Sequence, residues 1–231
     1  MTTVYESRRN RRRDSILRAR LIALFVALAA LTVSLPVYAA PTVLVFGDSL
    51  SAGYGLARDA GWVALLERRL AERDTPVRVV NASVSGETTA GGRARLEGEL
   101  ARTEPDIVIL ELGGNDGLRA LPVADMQTNL AAMIAASRAA GARVLLLGMR
   151  IPANYGKRYS EQFHRAFEQT ADKQDVAYVP FFLAPIANDR ANFQDDGIHP
   201  NAEAQPAMLD AVWPTLKPLI DQTLSQTPAA G

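Results

Sequence analysis

The segment TVLVFGDSLS, residues 42–51, combines an apolar run with a turn and a serine. From Val43 to Phe46 it is continuously apolar, which is typical of a strand covered on both faces in a parallel sheet. Gly47 and Asp48 are turn residues, and Ser49 follows them directly. A serine at the tip of a strand-to-helix turn exposes its hydroxyl and leaves its backbone N–H free. The stretch therefore predicts an α/β fold with a candidate nucleophile at the end of its first strand.

Short apolar runs alternate with longer amphipathic ones along the rest of the chain. Runs rich in β-branched and aliphatic residues predict five strands, at 42–46, 77–80, 107–112, 144–149 and 176–179. The segments between them predict helices at 62–73, 92–102, 123–140 and 160–174. A last helix is expected from residue 202 to near 222, interrupted around Pro206, Pro214 and Pro218. The alternation predicts one α/β domain in which a five-stranded parallel sheet has helices on both faces.

Segments that hold candidate functional residues follow four of the predicted strands. Ser49 comes after the first strand, Gly86 after the second, Asn115 after the third and residues 150–155 after the fourth. In open parallel sheets, ligands bind beyond the carboxyl ends of the strands. We therefore expect these segments to meet at one edge of the sheet, although they are far apart in sequence.

The chain contains two histidines, and one of them follows an acid closely. A serine hydroxyl is a poor nucleophile unless a base lies within hydrogen-bond reach and a third group orients that base. In DDGIHP, residues 195–200, a three-residue offset lets Asp196 accept the N–H of the His199 imidazole. His164 lies among charged residues of a predicted helix and is interpreted as a helix-surface histidine. Ser49, His199 and Asp196 are thus the predicted nucleophile, base and orienting acid.

Attack on an acyl carbonyl creates an oxyanion, which needs preorganised hydrogen-bond donors. The candidate donors are the backbone N–H groups of Ser49 and Gly86 and the side-chain amide of Asn115. Gly86 has an alternative role as a turn glycine, and Asn115 as a residue that caps or turns the chain. Asp48 and Asp116 are expected to be structural, with Asp116 holding its loop through hydrogen bonds.

The first 39 residues have the pattern of a secretory signal peptide. Seven arginines lie in residues 1–20, an uncharged apolar run follows at 21–35, and a small-residue site ends at Ala39. We place the cleavage after Ala39, which leaves residues 40–231 as the mature domain in the periplasm or outside the cell. A retained membrane anchor is the alternative, although the apolar run is shorter than the roughly 20 residues of a spanning helix.

The predicted cleavage also changes the charge of the chain. The segment holds seven of the 25 basic residues and two of the 25 acidic ones, so 18 basic and 23 acidic residues remain, a net charge of −5. Nucleic-acid binding is therefore not expected, and any membrane contact is expected to be transient. The chain has no cysteine, and its two histidines are far apart in sequence, so no metal site is expected.

Several sequence blocks together resemble the SGNH (GDSL) hydrolase family. The four that carry the resemblance are GDSLS at 47–51, Gly86, GGND at 113–116 and DGIH at 196–199. Similarity to the bacterial acyl-CoA thioesterase, lysophospholipase and arylesterase group extends over GDSLSAGYG at 47–55, NASVSGETT at 81–89 and GMRIPANYG at 148–156. The resemblance implies a flavodoxin-like three-layer α/β/α fold. It assigns the catalytic triad and the oxyanion hole to the residues named above.

The resemblance also implies a reaction and its substrates. It implies a serine esterase that hydrolyses carboxylic esters and thioesters, including aryl esters, acyl thioesters and lysophospholipids, and that needs no cofactor. Candidates for an acyl groove, with ordinary loop packing as the alternative, are Leu50, Leu118, Ile151, Pro152, Asn154 and Tyr155. A monomer is expected.

Two other functions remain open from the sequence. Deacetylation of a polysaccharide would favour exposed aromatic residues for stacking sugars, and the chain has only Trp62 and Trp213 as tryptophans. A non-catalytic binding protein of the cell envelope would have no reason to keep all four blocks.

Overall fold

The computed structural model describes residues 40–73 and 76–226. A parallel sheet of five strands has the order β2-β1-β3-β4-β5. The strands are β1 Thr42–Gly47, β2 Arg78–Asn81, β3 Ile107–Glu111, β4 Arg143–Leu147 and β5 Ala177–Val179. Every predicted strand is present, with its ends shifted by one or two residues. The strand order is that of flavodoxin-like doubly wound sheets, so the predicted fold class is confirmed.

The sheet is most deeply buried at its centre. β1 lies between β2 and β3, and all six of its residues are buried. β3 is likewise buried along its whole length, whereas the edge strand β2 is partly exposed. The continuous apolar runs that predicted these two central strands therefore reflect cover on both faces of the sheet.

Helices cover both faces of this sheet. In the described part of the chain they are α1 Ser49–Ala52, α2 Trp62–Ala71, α3 Thr89–Thr103, α4 Gly114–Leu118, α5 Val123–Ala139, α6 Lys157–Gln174 and α7 Gln205–Gln226. One layer contains α2 and α7, which pack against each other, and the other contains α3, α5 and α6, packed side by side. Two short 3-10 helices, Ala153–Tyr155 and Arg190–Asn192, lie in loops. The helices α1 and α4 are additions to the prediction.

The last helix corrects its prediction, because it is continuous. α7 passes through Pro214 and Pro218 without ending. Pro206 lies in its first turn, where a missing N–H breaks no intrahelical hydrogen bond. Each interior proline removes a backbone hydrogen bond, but Leu216 and Ile220 are buried and anchor this part of the helix to the core. Burial of an apolar face therefore overrides the local helix-breaking preference.

The N-terminal prediction falls on a part of the chain that the structure does not describe. The predicted signal peptide, residues 1–39, and the cleavage site after Ala39 lie outside the described residues, so both stay predictions. Among the described helices, none is long and apolar enough to cross a membrane.

Candidate active site

The turn from β1 into α1 presents Ser49 at the carboxyl edge of the sheet. Ser49 is the first residue of α1, and the Asp48 side chain caps this helix by accepting the N–H of Leu50 at 3.0 Å. Gly47 has no room for a side chain, because a Cβ there would lie 2.5 Å from Oε2 of Glu111. Ser49 is therefore partly exposed, while Gly47 and Asp48, which precede it, are buried and tightly packed.

A second loop, residues 194–200, brings a base and an acid to this serine. Nε2 of His199 lies 2.9 Å from Oγ of Ser49, although the two residues are 150 positions apart in sequence. On the other side of the ring, Nδ1 of His199 lies 2.6 Å from Oδ2 of Asp196. The structure thus joins the three residues of the predicted triad in one row of hydrogen bonds.

The ionisation of Asp196 suits an acid that orients an imidazole. The hydrogen bond with the His199 side chain, together with N–H donors from the backbone of His199 and Ile198, lowers the pKa of Asp196 to about 2. At neutral pH this carboxylate is therefore charged and accepts the proton on Nδ1. Nε2 of the same ring faces Oγ of Ser49.

The loop that carries Asp196 and His199 is held mainly by hydrogen bonds. The backbone N–H of Gln194 donates to the carbonyl of His199 at 2.8 Å. The guanidinium of Arg190 donates to the carbonyls of Phe193 and Asp195 at 3.0 and 2.9 Å. These hydrogen bonds connect the loop to its own backbone and to Arg190.

Tyr54 is a contact of the candidate base that the sequence interpretation missed. Its ring lies 4.4 Å from the His199 imidazole, centroid to centroid, at an interplanar angle of 39°. The side-chain amide of Gln194 donates to the backbone carbonyl of Tyr54 at 2.8 Å and thereby links the two loops. A tyrosine between two glycines carries no sequence signal for this contact, which arises from the tertiary fold.

Besides Ser49, the candidate oxyanion donors are Gly86, in the loop after β2, and Asn115, in α4 after β3. The side chain of Asn115 donates from Nδ2 to Oδ2 of Asp48 at 3.0 Å. Gly86 has a φ of 78°, and its carbonyl accepts from Arg119 at 2.9 Å. Gly86 therefore needs glycine for its backbone conformation, as its alternative role as a turn residue requires. The role of the Gly86 N–H as an oxyanion donor is not tested by this conformation and stays a prediction.

Asp116 has the structural role that was predicted for it. Its two carboxylate oxygens accept from the backbone N–H of Thr89 at 2.9 Å and from the hydroxyl of Thr89 at 2.5 Å. These bonds tie the start of α3 to the loop that carries Asn115.

A cleft of about 730 Å³ opens beside the triad. Its walls include Ser49, Asn115 and His199 together with four of the predicted groove residues, Leu50, Leu118, Ile151 and Pro152. Apolar wall residues that the sequence interpretation missed are Met149, Phe181, Leu183, Phe193 and Ile198. They come from loops after β4 and β5 and from the His199 loop, which sequence spacing alone does not bring together.

Two predicted groove residues do not line the cleft. Asn154 is exposed, and Tyr155 donates its hydroxyl to the carbonyl of Leu118 at 2.9 Å. Tyr155 therefore supports a wall residue from outside the cleft. Since both residues lie in the 3-10 helix Ala153–Tyr155, the turn of the backbone carries them away from the substrate side.

Arg150 places positive charge in the cleft wall. Its guanidinium lies over the Phe181 ring, 5.2 Å from the centroid, and Nη2 lies 3.4 Å from Nε2 of His164. Desolvation and the Arg150 charge lower the pKa of His164. The half-buried His164 is thus part of the cleft's surroundings, not an isolated surface residue.

Both tryptophans lie away from the cleft. Trp62 is fully buried and packs edge-on against Phe182, with centroids 5.4 Å apart. Trp213 lies under the guanidinium of Arg69 on the α2–α7 side. Neither ring therefore offers the surface for stacking sugars that a polysaccharide deacetylase would favour. Within residues 40–73 and 76–226, no three His, Asp or Glu side chains cluster in a way that could hold a metal ion.

Comparison with known proteins places this site in a family. Residues 45–206 match the GDSL-like lipase/acylhydrolase family. The chain belongs to that family. This GDSL-family chain is 52% identical over 204 residues to esterase TesA of Pseudomonas aeruginosa, an alignment that covers 88% of this chain and 100% of the relative.

Other relatives carry related activities in their names. The chain is 41% identical over 197 residues to an arylesterase of Vibrio mimicus, with 85% of this chain and 96% of the relative covered. It is 43% identical over 183 residues to thioesterase 1/protease 1/lysophospholipase L1 of Escherichia coli strain K12, with 79% and 86% covered. A crystal structure of TesA superposes with a TM-score of 0.75 at 54% identity, covering 77% of this chain and 99% of that one. This GDSL-family chain is an ester hydrolase.

Proposed function

We propose that this hydrolase is an exported serine esterase that cleaves carboxylic esters and thioesters through an acyl-enzyme intermediate. The observation that carries the proposal is the row from Ser49 through His199 to Asp196, with distances of 2.9 and 2.6 Å. A nucleophile, a base and an acid that orients the base are the parts that covalent acyl transfer needs.

The first half of the reaction forms the acyl-enzyme. Oγ of Ser49 attacks the substrate carbonyl while Nε2 of His199 takes the hydroxyl proton. The ionised Asp196 keeps the proton on Nδ1 and stabilises the imidazolium. His199 then gives the proton from Nε2 to the leaving alcohol, phenol or thiol as the carbonyl bond to it breaks.

The second half releases the acid. A water molecule enters beside His199, which takes its proton as the water oxygen attacks the acyl carbon. The bond to Oγ of Ser49 then breaks, and His199 returns the proton to the serine.

Three donors stabilise the negative oxygen in both halves. They are the N–H groups of Ser49 and Gly86 and the Nδ2 of Asn115. Asn115 lines the cleft beside Ser49, which supports its part. Loss of one such donor typically slows catalysis about 10²- to 10³-fold.

The apolar cleft supports substrates with medium or long acyl chains. Leu50, Leu118 and Ile151 lie in its walls, and a volume of about 730 Å³ is in the range of ordinary small-ligand sites. The names of the relatives support aryl esters, acyl thioesters and lysophospholipids as substrate classes. Export to the periplasm or the medium is supported by the signal-peptide pattern of residues 1–39.

The test of this function is the initial rate of p-nitrophenyl ester hydrolysis from acetyl to palmitoyl, together with labelling by a fluorophosphonate. Residues 40–231 should react with one equivalent of probe at Ser49, and the rate should peak at medium or long chains. Ser49→Ala should remove both labelling and turnover without unfolding the protein. A folded Ser49→Ala variant with full activity would exclude the mechanism, and a sharp acetyl preference would contradict the substrate class.

A further inference from the structure

Two buried carboxyl groups lie directly beneath the nucleophile, and the triad uses neither of them. Asp48 is 2% exposed and Glu111 is fully buried. Oε2 of Glu111 accepts the backbone N–H of Asp48 at 3.3 Å and the hydroxyl of Ser51 at 2.7 Å. Since Gly47 and Glu111 are paired in the register of β1 and β3, this contact joins the ends of the two central strands.

The Asp48 carboxylate links the residue after Ser49 to Asn115, one of the predicted oxyanion donors. Oδ1 accepts the N–H of Leu50, which follows Ser49, and Oδ2 accepts Nδ2 of Asn115 at 3.0 Å. A Cβ on Gly114 would lie 3.3 Å from Oδ2, so the start of α4 approaches this oxygen closely. A single side chain thereby links the nucleophile turn to the loop after β3.

The chemistry of a carboxylate determines how Asn115 is oriented. An ionised carboxylate can only accept hydrogen bonds, whereas an amide presents two N–H groups on one side and an acceptor oxygen on the other. Oδ2 of Asp48 therefore selects the rotamer that turns Nδ2 of Asn115 towards it. One hydrogen of this nitrogen binds Asp48, and the second is left for the cleft, which Asn115 lines.

Burial raises the pKa of both carboxyl groups, but their other surroundings differ. Burial raises the pKa of Asp48 to about 6, and burial together with the nearby Asp48 raises the pKa of Glu111 well above its ordinary value. The N–H donors from Leu50 and Asn115 and the charge of His199 favour ionised Asp48, while Asp116 disfavours it. The N–H donors therefore favour charge on Asp48, whereas burial and the nearby Asp48 disfavour charge on Glu111.

We propose that Asp48 is a positioning residue for the oxyanion hole: its carboxylate orients the amide of Asn115 towards the substrate. Glu111 supports Asp48 by accepting its backbone N–H. The proposal rests on the proposed function, because it assumes that Asn115 donates to the oxyanion. Asp48 does not touch the reacting atoms and acts through Asn115.

The first test is Asp48→Asn, assayed with the best p-nitrophenyl ester. An asparagine at this position can offer an N–H to Asn115, which then turns its oxygen towards residue 48 and its N–H away from the cleft. We expect kcat to fall on the order of 10²- to 10³-fold, as for loss of one oxyanion donor, with KM nearly unchanged. Asp48→Ser should lose as much, although a serine still caps α1, so the loss of the cap is separated from the loss of Asn115 orientation.

A double-mutant cycle distinguishes positioning from a general structural role. If Asp48 acts through Asn115, Asp48→Asn in an Asn115→Ala background should lower kcat by no more than about threefold, because the partner is already absent. Asp116→Asn is the matched control, since it changes a similarly buried aspartate that lies next to Asn115 in α4. It should lower the melting temperature while keeping most of kcat.

The outcomes separate this proposal from the proposed function. A wild-type protein that neither turns over esters nor labels with fluorophosphonate contradicts the proposed function itself. An active wild type whose folded Asp48→Asn and Asp48→Ser variants keep wild-type kcat overturns only the positioning role. Losses that multiply in the double variant overturn it as well, since they show that Asp48 acts independently of Asn115.

Discussion

Asp48 and Asp196 are aspartates of the same site whose surroundings act on them in opposite directions. Asp48 is almost fully buried, and desolvation raises its pKa to about 6 despite two N–H donors. The Asp196 side chain is 37% exposed, and hydrogen bonds from His199 and the backbone lower its pKa to about 2. The sign of each shift follows from which of the two effects is larger.

The difference shows that the two halves of the site are built in different ways. The nucleophile side, from Gly47 to Ser51, is a turn fixed by the buried ends of β1 and β3. The base side, residues 194–200, is a largely exposed loop held by hydrogen bonds within it, from Arg190 and to Tyr54. Changes on the base side should therefore affect catalysis far more than folding, whereas changes on the nucleophile side should affect both.

Asp196→Asn should have the largest effect and act on catalysis alone. Its side-chain oxygen can still accept the N–H groups of Ile198 and His199, but its N–H₂ faces Nδ1 and favours the tautomer that carries its proton on Nε2. We expect kcat to fall on the order of 10⁴-fold with a nearly unchanged unfolding midpoint. Asp195→Asn, a neighbouring exposed acid outside the row, is the control. A large drop in stability would contradict the view that the base-side loop is independent of the core.

Gly47→Ala should damage the nucleophile side by destabilising the fold. The new Cβ would lie 2.5 Å from Oε2 and 2.9 Å from the backbone oxygen of Glu111, inside the core. We expect a loss of about 1–3 kcal/mol in the free energy of unfolding by urea, as for overpacking. In the control Gly98→Ala, on the exposed side of α3 with no atom within 4 Å, stability should rise by about 0.5–1 kcal/mol. Equal stabilities of the two variants would show that the turn can relax.

Glu111→Gln should change how stability depends on pH. The folded protein raises the pKa of Glu111, so between the ordinary value of 4.5 and the raised one the folded state binds more protons than the unfolded state. The contribution of Glu111 to the stability of the wild type is therefore largest below pH 4.5 and is lost as the pH rises. The glutamine variant lacks this loss, so its stability relative to the wild type should increase as the pH rises above 4.5. Parallel curves from urea unfolding would mean that Glu111 is ionised in the folded protein.

Tyr54→Ala should have the smallest effect, on the base side. The tyrosine ring packs on the His199 imidazole, and aromatic pairs contribute about 0.5–1.5 kcal/mol, so kcat/KM should fall about 2- to 10-fold. Tyr54→Phe keeps the ring and should retain nearly wild-type activity. If phenylalanine were as impaired as alanine, the hydroxyl and not the ring would be the important group.

Most of the fold could be predicted because its signals are local. The uninterrupted apolar runs of β1 and β3 and the alternation of strands and helices led to the correct sheet class. The failures have physical causes of longer range. α7 continues through Pro214 and Pro218 because its apolar side is buried by the core, which no local propensity contains.

The candidate site divides in the same way. Asp196 and His199 lie three residues apart, so the hydrogen bond between them could be expected from the turn. Asn154 and Tyr155 were expected in the cleft because they belong to the segment that follows the fourth strand, but they lie in a 3-10 helix and do not line the cleft. The contact of Tyr54 with His199 was not expected, because no local sequence pattern around Tyr54 predicts it.

The order of the elements, the candidate nucleophile, base and acid, and the resemblance to the family can all be read from the sequence without the structure. These follow from apolar periodicity and from short motifs whose chemistry is complete within a few residues. The contact of Glu111 with Asp48, the hydrogen bond of Asp48 with Asn115 and the set of side chains that line the cleft become visible in the folded protein alone. Burial and the pKa shifts that follow from it depend on atoms brought together from distant parts of the chain.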